Sequence, residues 1–275
     1  MDNVKNILKL AGEFIKSNFA YLVWFMLYVL LFSILTRGLI LVFYMITVLI
    51  AFSESAEEIW RFVLGVRPLR LNKEKERLLP LFKEVYLGAV KANPKLSKGI
   101  KLYIREDMSI NAFAFGKSTL VLTRGSIELL NDNQLKGLMA HEFGHFSYKH
   151  TEALLLFTVA NLPMSFIVQK LTDAKNYFDK EKRRSFLLGS LCNFFYYIFK
   201  GIDFIARLIL MHSSRKDEYR ADKFAIKSGF GEDLTEVLLE IYSVSISKPE
   251  SIKEQMNSTH PHITKRIERL ERSHM

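Results

Sequence analysis

The sequence contains a single cysteine, Cys192, which lies within an apolar run. One cysteine cannot form a disulfide within the chain, and it cannot supply the cysteine cluster of a thiolate metal site. Acidic residues are also scarce relative to basic ones, 29 against 39, which gives a formal net charge of +10. The basic residues flank apolar blocks and form no tract with interleaved aromatics. The composition therefore argues against nucleic-acid binding and favours positive charge beside a membrane.

Charge is absent from long stretches near the start of the sequence. Residues 19–35 carry no charged side chain, and the apolar character resumes from Leu39 to Phe52. A bilayer core of about 30 Å needs roughly 20 apolar helical residues, with a lower limit of about 17. No small-residue cleavage site is followed by a polar mature start, which disfavours a signal peptide. We predict a retained membrane hairpin, whose second helix is short unless Trp60 and its neighbours extend it.

Lysine and arginine predict the orientation of this hairpin. Only Arg37 lies in the turn between the two apolar runs, whereas residues 1–18 and 61–77 are strongly basic. The positive-inside rule places both basic segments in the cytoplasm.

The next part of the chain is polar and carries signals for a small sheet. Residues 72–91 have a helical pattern that ends at Asn93-Pro94. Residues 101–105 read as a strand, and residues 111–123 read as strand, turn and strand. We expect this sheet to precede a helix that begins near Asn131.

That helix contains the sequence His141-Glu142-Phe143-Gly144-His145. Side chains at positions i and i+4 share one helical face, so the two imidazoles can bind a single zinc ion. Glu142 is then placed to act on a water bound to the ion. Gly144 costs about 1 kcal/mol relative to alanine in a helix, which indicates close packing there. The competing interpretation is a polar helix face with two solvated histidines.

A second acidic segment, Asp217-Glu218-Tyr219-Arg220-Ala221-Asp222, favours zinc. Zinc in a hydrolase usually has three protein ligands and an open position for water, and Glu218 is the candidate third ligand. Asp222 lies one turn further on, where it can accept a hydrogen bond from the other ring nitrogen of a ligand histidine. Taken alone, this segment is better interpreted as a charged, exposed helix, because basic residues interleave with the acidic ones.

Two further apolar segments lie between these motifs, at residues 153–171 and 186–211. If Glu218 joins His141 and His145, the chain between them must cross the membrane an even number of times. Two crossings fit the apolar lengths but place the basic residues around Lys182 outside, against the positive-inside rule. Zero crossings would make the pair interfacial or re-entrant, and we expect two.

The end of the chain is predicted to be soluble and helical. Glu232-Asp233 begins one helix, and Ser258-Thr259-His260-Pro261 leads into a second one over residues 263–272. His260 precedes a proline, which restricts its backbone, and by itself this sequence is a helix-entry turn. His150, His212 and His274 receive no role.

Taken together, these motifs resemble the HtpX-type membrane zinc metalloproteases, relatives of the CAAX prenyl protease and of the mitochondrial inner-membrane peptidase of the same clan. The resemblance rests on four segments in the same order and at similar separations. They are Asn111-Ala112-Phe113-Ala114, His141 to His145, Glu218 to Asp222, and Ser258 to Pro261 followed by Arg266-Ile267. Thr151 stands where metzincins have a third histidine, which supports a glutamate ligand.

The resemblance implies one zinc ion per chain, held by His141, His145 and Glu218, with Glu142 as general base. It implies that Asn111, Ala112, Phe113 and Ala114 form an edge to which the substrate backbone adds. His260 and Arg266 would lie near the site and stabilise the developing oxyanion.

It also implies an endopeptidase in the cytoplasmic (inner) membrane of a prokaryote, acting on unfolded or damaged membrane proteins from the cytosolic side. Two alternatives stay open, a CAAX-type peptidase for prenylated proteins and a non-catalytic zinc-binding membrane scaffold.

The predicted fold class is a mainly α membrane protein, with about four membrane helices and a cytosolic α+β zincin-like (gluzincin) domain that carries a small β-sheet. We expect a membrane hairpin at residues 1–60 and a second membrane pair at 153–211. The catalytic domain is expected in two parts, residues 61–152 and 212–275.

Overall fold

Helices dominate the architecture, and one small sheet lies between them. The structure, a computed structural model, describes residues 12, 15–35, 39–51, 53–180, 186–245 and 262–274. The described elements in chain order are α1 (Phe19–Leu35), α2 (Leu39–Ala51), α3 (Glu54–Val63), β1 (Val66–Pro68), α4 (Asn72–Ala92), β2 (Lys101–Arg105), β3 (Ala112–Phe115), β4 (Thr119–Thr123), α5 (Arg124–Leu129), α6 (Asp132–Ser147), α7 (His150–Lys180), α8 (Phe186–Lys227), α9 (Gly231–Ser245) and α10 (Ile263–His274).

The sheet has four strands in the order β1-β2-β4-β3. β2 runs parallel to β4, with Leu102 opposite Leu120, and β3 pairs with β4 as an antiparallel hairpin, with Phe113 opposite Val121. The three strands predicted from the sequence are confirmed. β1 has only three residues and was not predicted. Its antiparallel pairing with β2 leaves β3 at the opposite edge of the sheet.

Among the described residues there are two apolar cores, and the larger one joins this sheet to the polar helices around α6. Its fully buried side chains include Leu78 and Val85 of α4, Leu120 and Leu122 of β4, Leu135, Met139 and Phe143 of α6, Leu234 of α9 and Leu270 of α10. Burial of this apolar surface is what fixes α6 between the sheet and the C-terminal helices.

The smaller core lies among the long apolar helices. It contains Tyr21, Trp24, Tyr28 and Phe32 of α1, Tyr44 of α2, Ala153, Phe157, Ala160 and Met164 of α7, and Ala206 of α8. The outward faces of the same helices expose large apolar side chains, among them Leu30, Ile34, Leu49 and Phe166. An exposed apolar surface of this kind marks contact with lipid or with another protein.

Helices α7 and α8 run antiparallel to each other. Gly189 lies against the Phe178 side chain, and the Cys192 thiol lies 3.9 Å from the Leu171 carbonyl oxygen. Within the described residues, one helical stretch, His150–Phe178, is long and apolar enough to span a bilayer, and Phe19–Ile34 is apolar but shorter. The antiparallel arrangement returns the end of α8 to the level at which α7 begins.

The second apolar helix is not lengthened by Trp60. α2 ends at Ala51, and Trp60 lies in the separate helix α3. α3 instead holds the β3–β4 turn, because the buried Glu57 carboxylate accepts hydrogen bonds from the hydroxyl groups of Ser118 (2.9 Å) and Thr119 (2.6 Å). The first apolar hairpin is thereby connected to the edge hairpin of the sheet.

Candidate metal centre

Helix α6 carries the two histidines of the predicted site. It begins with a capping box, in which the Asn131 side chain accepts from the Gln134 backbone N–H (2.9 Å) and the Gln134 side chain accepts from the Asn131 N–H (3.0 Å). Four residues apart on one face, His141 and His145 bring their Nε2 atoms to 3.3 Å.

Helix α8 brings a carboxylate to the same point. One Glu218 oxygen lies 3.4 Å from Nε2 of His141, and the other lies 3.5 Å from Nε2 of His145. Zinc bonds of about 2.0–2.1 Å at tetrahedral angles require ligand atoms about 3.3–3.4 Å apart. The three side chains therefore fit one tetrahedral zinc ion, and Glu218, 77 residues beyond the first histidine in sequence (218 − 141), is in place as a third donor.

Gly144 explains how α6 and α8 come so close. A Cβ atom on Gly144 would lie 2.7 Å from the Cα of Ala221, a distance that real Cβ contacts do not reach. Ala221 lies between Glu218 and Asp222 on α8. The glycine that the sequence marked as a sign of close packing is therefore the point at which the metal-site helices touch.

Glu142 lies beside the first histidine and is buried, with 5 % of its surface exposed. The candidate ligand atoms of His141, Glu142 and His145 all lie within 4.8 Å of one another. A single water molecule can therefore bridge the Glu142 carboxylate and a metal ion held between the two imidazoles.

Arg266 of α10 forms ion pairs with both acidic side chains of the site, Glu218 and Asp222. Its guanidinium lies 3.0 Å from a Glu218 oxygen and 2.6 Å from an Asp222 oxygen. Burial opposes ionisation of Glu218, yet Arg266 and the His141 ring hold the pKa of Glu218 well below its usual range. Glu218 is therefore an anion, as a zinc ligand must be.

The Asp222 oxygen also lies 2.9 Å from Nδ1 of His141, the contact expected from the sequence.

His141 is held by charges of both signs. Burial and Arg266 lower the pKa of its imidazole, but the hydrogen bonds to Asp222 and Glu218 outweigh them and raise it to about 10. A metal ion bound to this ring would have to displace that proton.

Two side chains on the Nδ1 side of His145 were not predicted from the sequence. His150 received no role, yet it is buried and its Nδ1 lies 3.1 Å from Nδ1 of His145. Burial, followed by the nearby His145, lowers the pKa of His150 well below its ordinary value. Its other ring nitrogen lies 3.2 Å from the Asp217 carboxylate. The one signal in the sequence was the histidine five residues after His145.

The edge strand β3 lies beside α6. Asn111, just before the strand, forms a backbone hydrogen bond with β4: its carbonyl oxygen accepts from the Thr123 N–H (3.1 Å). By antiparallel alternation Phe113 also bonds β4, whereas the peptide groups of Ala112 and Ala114 point away from it. No strand among the described residues pairs with that outer edge. The exposed Asn111 side chain lies at the beginning of this outer edge of β3.

The structure thus brings together most of the residues that the sequence singled out: His141, Glu142, His145, Glu218, Asp222 and Arg266. His260 and Pro261 lie outside the described residues. Arg266 contacts the two carboxylates directly, and its predicted action on an oxyanion stays a prediction.

Comparisons with known proteins bear on the family of this chain and on its fold. Peptidase family M48 matches residues 74–274. A "Protease HtpX homolog" from Dictyoglomus turgidum is 30% identical over 211 residues, which cover 67% of this chain and 68% of that protein. A "CAAX prenyl protease 1 homolog" from Dictyostelium discoideum is 29% identical over 134 residues, covering 46% of this chain and 31% of that protein.

A solved structure shares the fold over nearly the whole chain. The crystal structure of S. mikatae Ste24p superposes with a TM-score of 0.56 at 17% identity, and it covers 97% of this chain and 66% of Ste24p. The chain therefore spans about two thirds of Ste24p and about a third of the prenyl protease homolog.

The match to the family model over residues 74–274 and the similarity to the protease homologs identify the chain as a metalloendopeptidase. The chain belongs to peptidase family M48.

Proposed function

We propose that the chain is a membrane-bound zinc endopeptidase that cleaves unfolded or damaged proteins, membrane proteins above all, on the cytosolic side. The observation that carries the proposal is the convergence of His141, His145 and Glu218 at ligand separations of 3.3–3.5 Å with Glu142 beside them. A structural zinc site has no need of a base next to its ligands, which disfavours a non-catalytic scaffold.

In this mechanism His141, His145 and Glu218 hold one zinc ion. When bound, zinc polarises the scissile carbonyl and lowers the pKa of a bound water towards about 7. Glu142 accepts the proton of the attacking water and returns it to the leaving amine. Asp222 accepts from Nδ1 of His141 and so keeps Nε2 of that ring free for the metal.

The substrate is proposed to bind as an additional strand on β3. Ala112 and Ala114 offer outward N–H and C=O groups beside the metal helix, and an extended peptide can pair with both. Main-chain pairing makes selectivity broad and limits cleavage to extended segments. A helical membrane segment must therefore unwind before it is cut.

The membrane arrangement is supported by the smaller apolar core and by the exposed apolar faces of α1, α2, α7 and α8. α7 has 31 residues and α8 has 42, and at 1.5 Å per residue each exceeds a bilayer core of about 30 Å. The antiparallel packing of α7 against α8 fits two membrane crossings between α6 and Glu218. They place the basic segment 181–185 on the outer side, a departure from the positive-inside rule.

The proposed organisation keeps the membrane segments 1–60 and 153–211 apart from a zincin-like catalytic domain formed by 61–152 and 212–275. The two apolar cores support this division, since one joins the sheet to α4, α6, α9 and α10 and the other joins α1, α2, α7 and α8.

A test uses the purified full chain in detergent micelles with casein as an unfolded substrate. Wild-type protein is expected to digest casein, to stop when a chelator removes zinc, and to recover when zinc is restored. Glu142→Gln is expected to keep one zinc per chain and lose cleavage. Full activity in Glu142→Gln would refute the role of Glu142 as base, and digestion that a chelator does not affect would refute the metal mechanism.

A second candidate, a peptidase for prenylated C-terminal tails, is favoured by the match to a CAAX prenyl protease 1 homolog and by the fold of Ste24p. A farnesylated CAAX peptide, its unprenylated twin and casein separate the two candidates. We expect the farnesyl group to give no advantage. Cleavage restricted to the farnesylated peptide would favour the second candidate.

A further inference from the structure

The two histidines of the metal centre have different neighbours behind them. Nδ1 of His141 lies 2.9 Å from an Asp222 oxygen, a carboxylate partner of the usual kind. Nδ1 of His145 instead lies 3.1 Å from Nδ1 of another histidine, His150. Only one of these two nitrogens can carry the proton that they share.

The chemistry of zinc ligation determines which of them carries it. If Nε2 of His145 binds zinc, the proton of His145 is on Nδ1, which donates to His150. Nδ1 of His150 is then the acceptor, and a neutral His150 carries its own proton on Nε2. That atom lies 3.2 Å from an Asp217 oxygen, a close polar contact that is not aligned as a hydrogen bond. Its position beside a carboxylate favours this tautomer.

The His150 ring is also fixed in its plane. It stacks on the Tyr148 ring, with centroids 5.5 Å apart and an interplanar angle of 18°. His150 and Asp217 are both buried, with 5 % and 3 % of their surfaces exposed. A buried polar pair in a fixed orientation can hold His145 in one rotamer and one tautomer.

Asp217 in turn contacts the first apolar helix. The Tyr21 hydroxyl of α1 donates to the second Asp217 oxygen at 3.0 Å. Two more contacts join the same end of that helix to the metal-site elements. Asn18 donates to the Tyr148 carbonyl (3.1 Å), and Arg220 donates to the Ser17 carbonyl (2.7 Å).

We infer that His150 and Asp217 are positioning residues of the metal centre, and that α1 completes it through the Tyr21 hydroxyl. The chain of contacts runs from Tyr21 to Asp217, to His150 and to His145. The inference rests on the proposed zinc site and extends it, since it makes the first apolar helix part of the metal-site scaffold and not only an anchor.

The test measures the zinc dissociation constant of the full chain in micelles by competition with a chelator. His150→Phe keeps an aromatic ring on Tyr148 but removes the acceptor, and we expect zinc to bind about 10- to 100-fold more weakly. His150→Asn places an oxygen near the lost Nδ1 and is expected to restore most of the affinity. A purely structural role for His150 predicts no such rescue.

Tyr21→Phe removes only the hydroxyl and is expected to weaken zinc binding several-fold. Its matched control is Tyr28→Phe, which removes a buried hydroxyl two turns along the same helix, away from the site. The absorption spectrum of the cobalt-substituted protein reports ligand geometry independently of proteolysis. We expect it to change in His150→Phe and Tyr21→Phe and to stay as in wild type in Tyr28→Phe.

The outcomes distinguish this inference from the proposed function. One tight zinc ion in wild type, together with unchanged affinity and cobalt spectrum in His150→Phe, would overturn the role of His150 and leave the proposed function standing. Equal values for Tyr21→Phe and Tyr28→Phe would overturn the role of α1. A wild-type chain that binds no zinc would contradict the proposed function itself. If His150→Phe does not fold, the comparison of Tyr21→Phe with Tyr28→Phe decides whether this chain of contacts supports the metal centre.

Discussion

Gly144 of α6 lies directly against Ala221 of α8, so close that a Cβ atom on the glycine would be 2.7 Å from the alanine Cα. This contact sets the separation between the helix that carries the two histidines and the helix that carries Glu218. The nearest atom is a backbone atom of α8, which cannot move aside as the end of a flexible side chain would.

Gly144→Ala is therefore expected to force the two helices apart. Overpacking of this kind costs about 1–3 kcal/mol, partly offset by roughly 1 kcal/mol of helix propensity. Thermal unfolding should show a lower midpoint, and chelator competition should show weaker zinc binding. The control is Gly201→Ala in α8, where an added Cβ meets nothing within 4 Å. Equal zinc affinity in the two variants would contradict the proposed packing.

A second prediction concerns acid stability and the four-residue charge network beside the sheet. Arg124 and Arg67 donate to the Glu106 carboxylate at 2.9 and 2.8 Å, and they also bind the buried Glu74. Hydrogen bonding from Arg124, the largest cause, lowers the pKa of Glu106 to about 2, and hydrogen bonding from Arg67 holds the pKa of Glu74 well below its usual range.

Because a glutamate in the unfolded chain titrates near pH 4.3, both carboxylates stabilise the fold above that pH, and the stability is lost as the pH falls through the folded pKa values. Glu74→Gln should cost about 3 kcal/mol near pH 7. In thermal melts its deficit relative to wild type should shrink as the pH drops from about 4.3 towards about 2. A deficit that does not vary with pH would show that charge is not its cause.

The third prediction tests strand addition. Ala114 presents its N–H away from β4, so Ala114→Pro removes a group offered to the substrate and leaves the ladder bonds intact. We expect KM for casein to rise about tenfold, the equivalent of roughly 1.4 kcal/mol for a lost hydrogen bond, with zinc content unchanged. Phe113→Pro removes a bond to β4 and should lower the unfolding midpoint instead. An unchanged KM in a folded Ala114→Pro variant would refute strand addition.

Local patterns made much of this site predictable. Positions i and i+4 on one helix place His141 beside His145 whatever surrounds them, and the same spacing relates Glu218 to Asp222. Two short runs rich in apolar residues, joined by a Gly-containing turn, likewise predicted β3 and β4. β1 was missed because three residues carry too little pattern to stand out.

Contacts that depend on tertiary packing could not be found in this way. Tyr21 and Asp217 are 196 residues apart in sequence, and they meet only because α1 packs on α7 and α8. His150 begins α7 in sequence and lies behind His145 because the chain turns sharply at Lys149, whose φ is 58°. Arg266 was expected at the site through resemblance, but its pairing with Glu218 and Asp222 required the packed C-terminal helix.

The central claim is that three distant side chains hold a single zinc ion, and metal analysis of purified variants tests it most directly. Wild-type protein and the control Glu232→Ala, whose acidic side chain lies at the start of α9, should each contain one zinc per chain. His141→Ala and Glu218→Ala should contain far less. Undiminished zinc in both of those variants, at one ion per chain, would contradict the account.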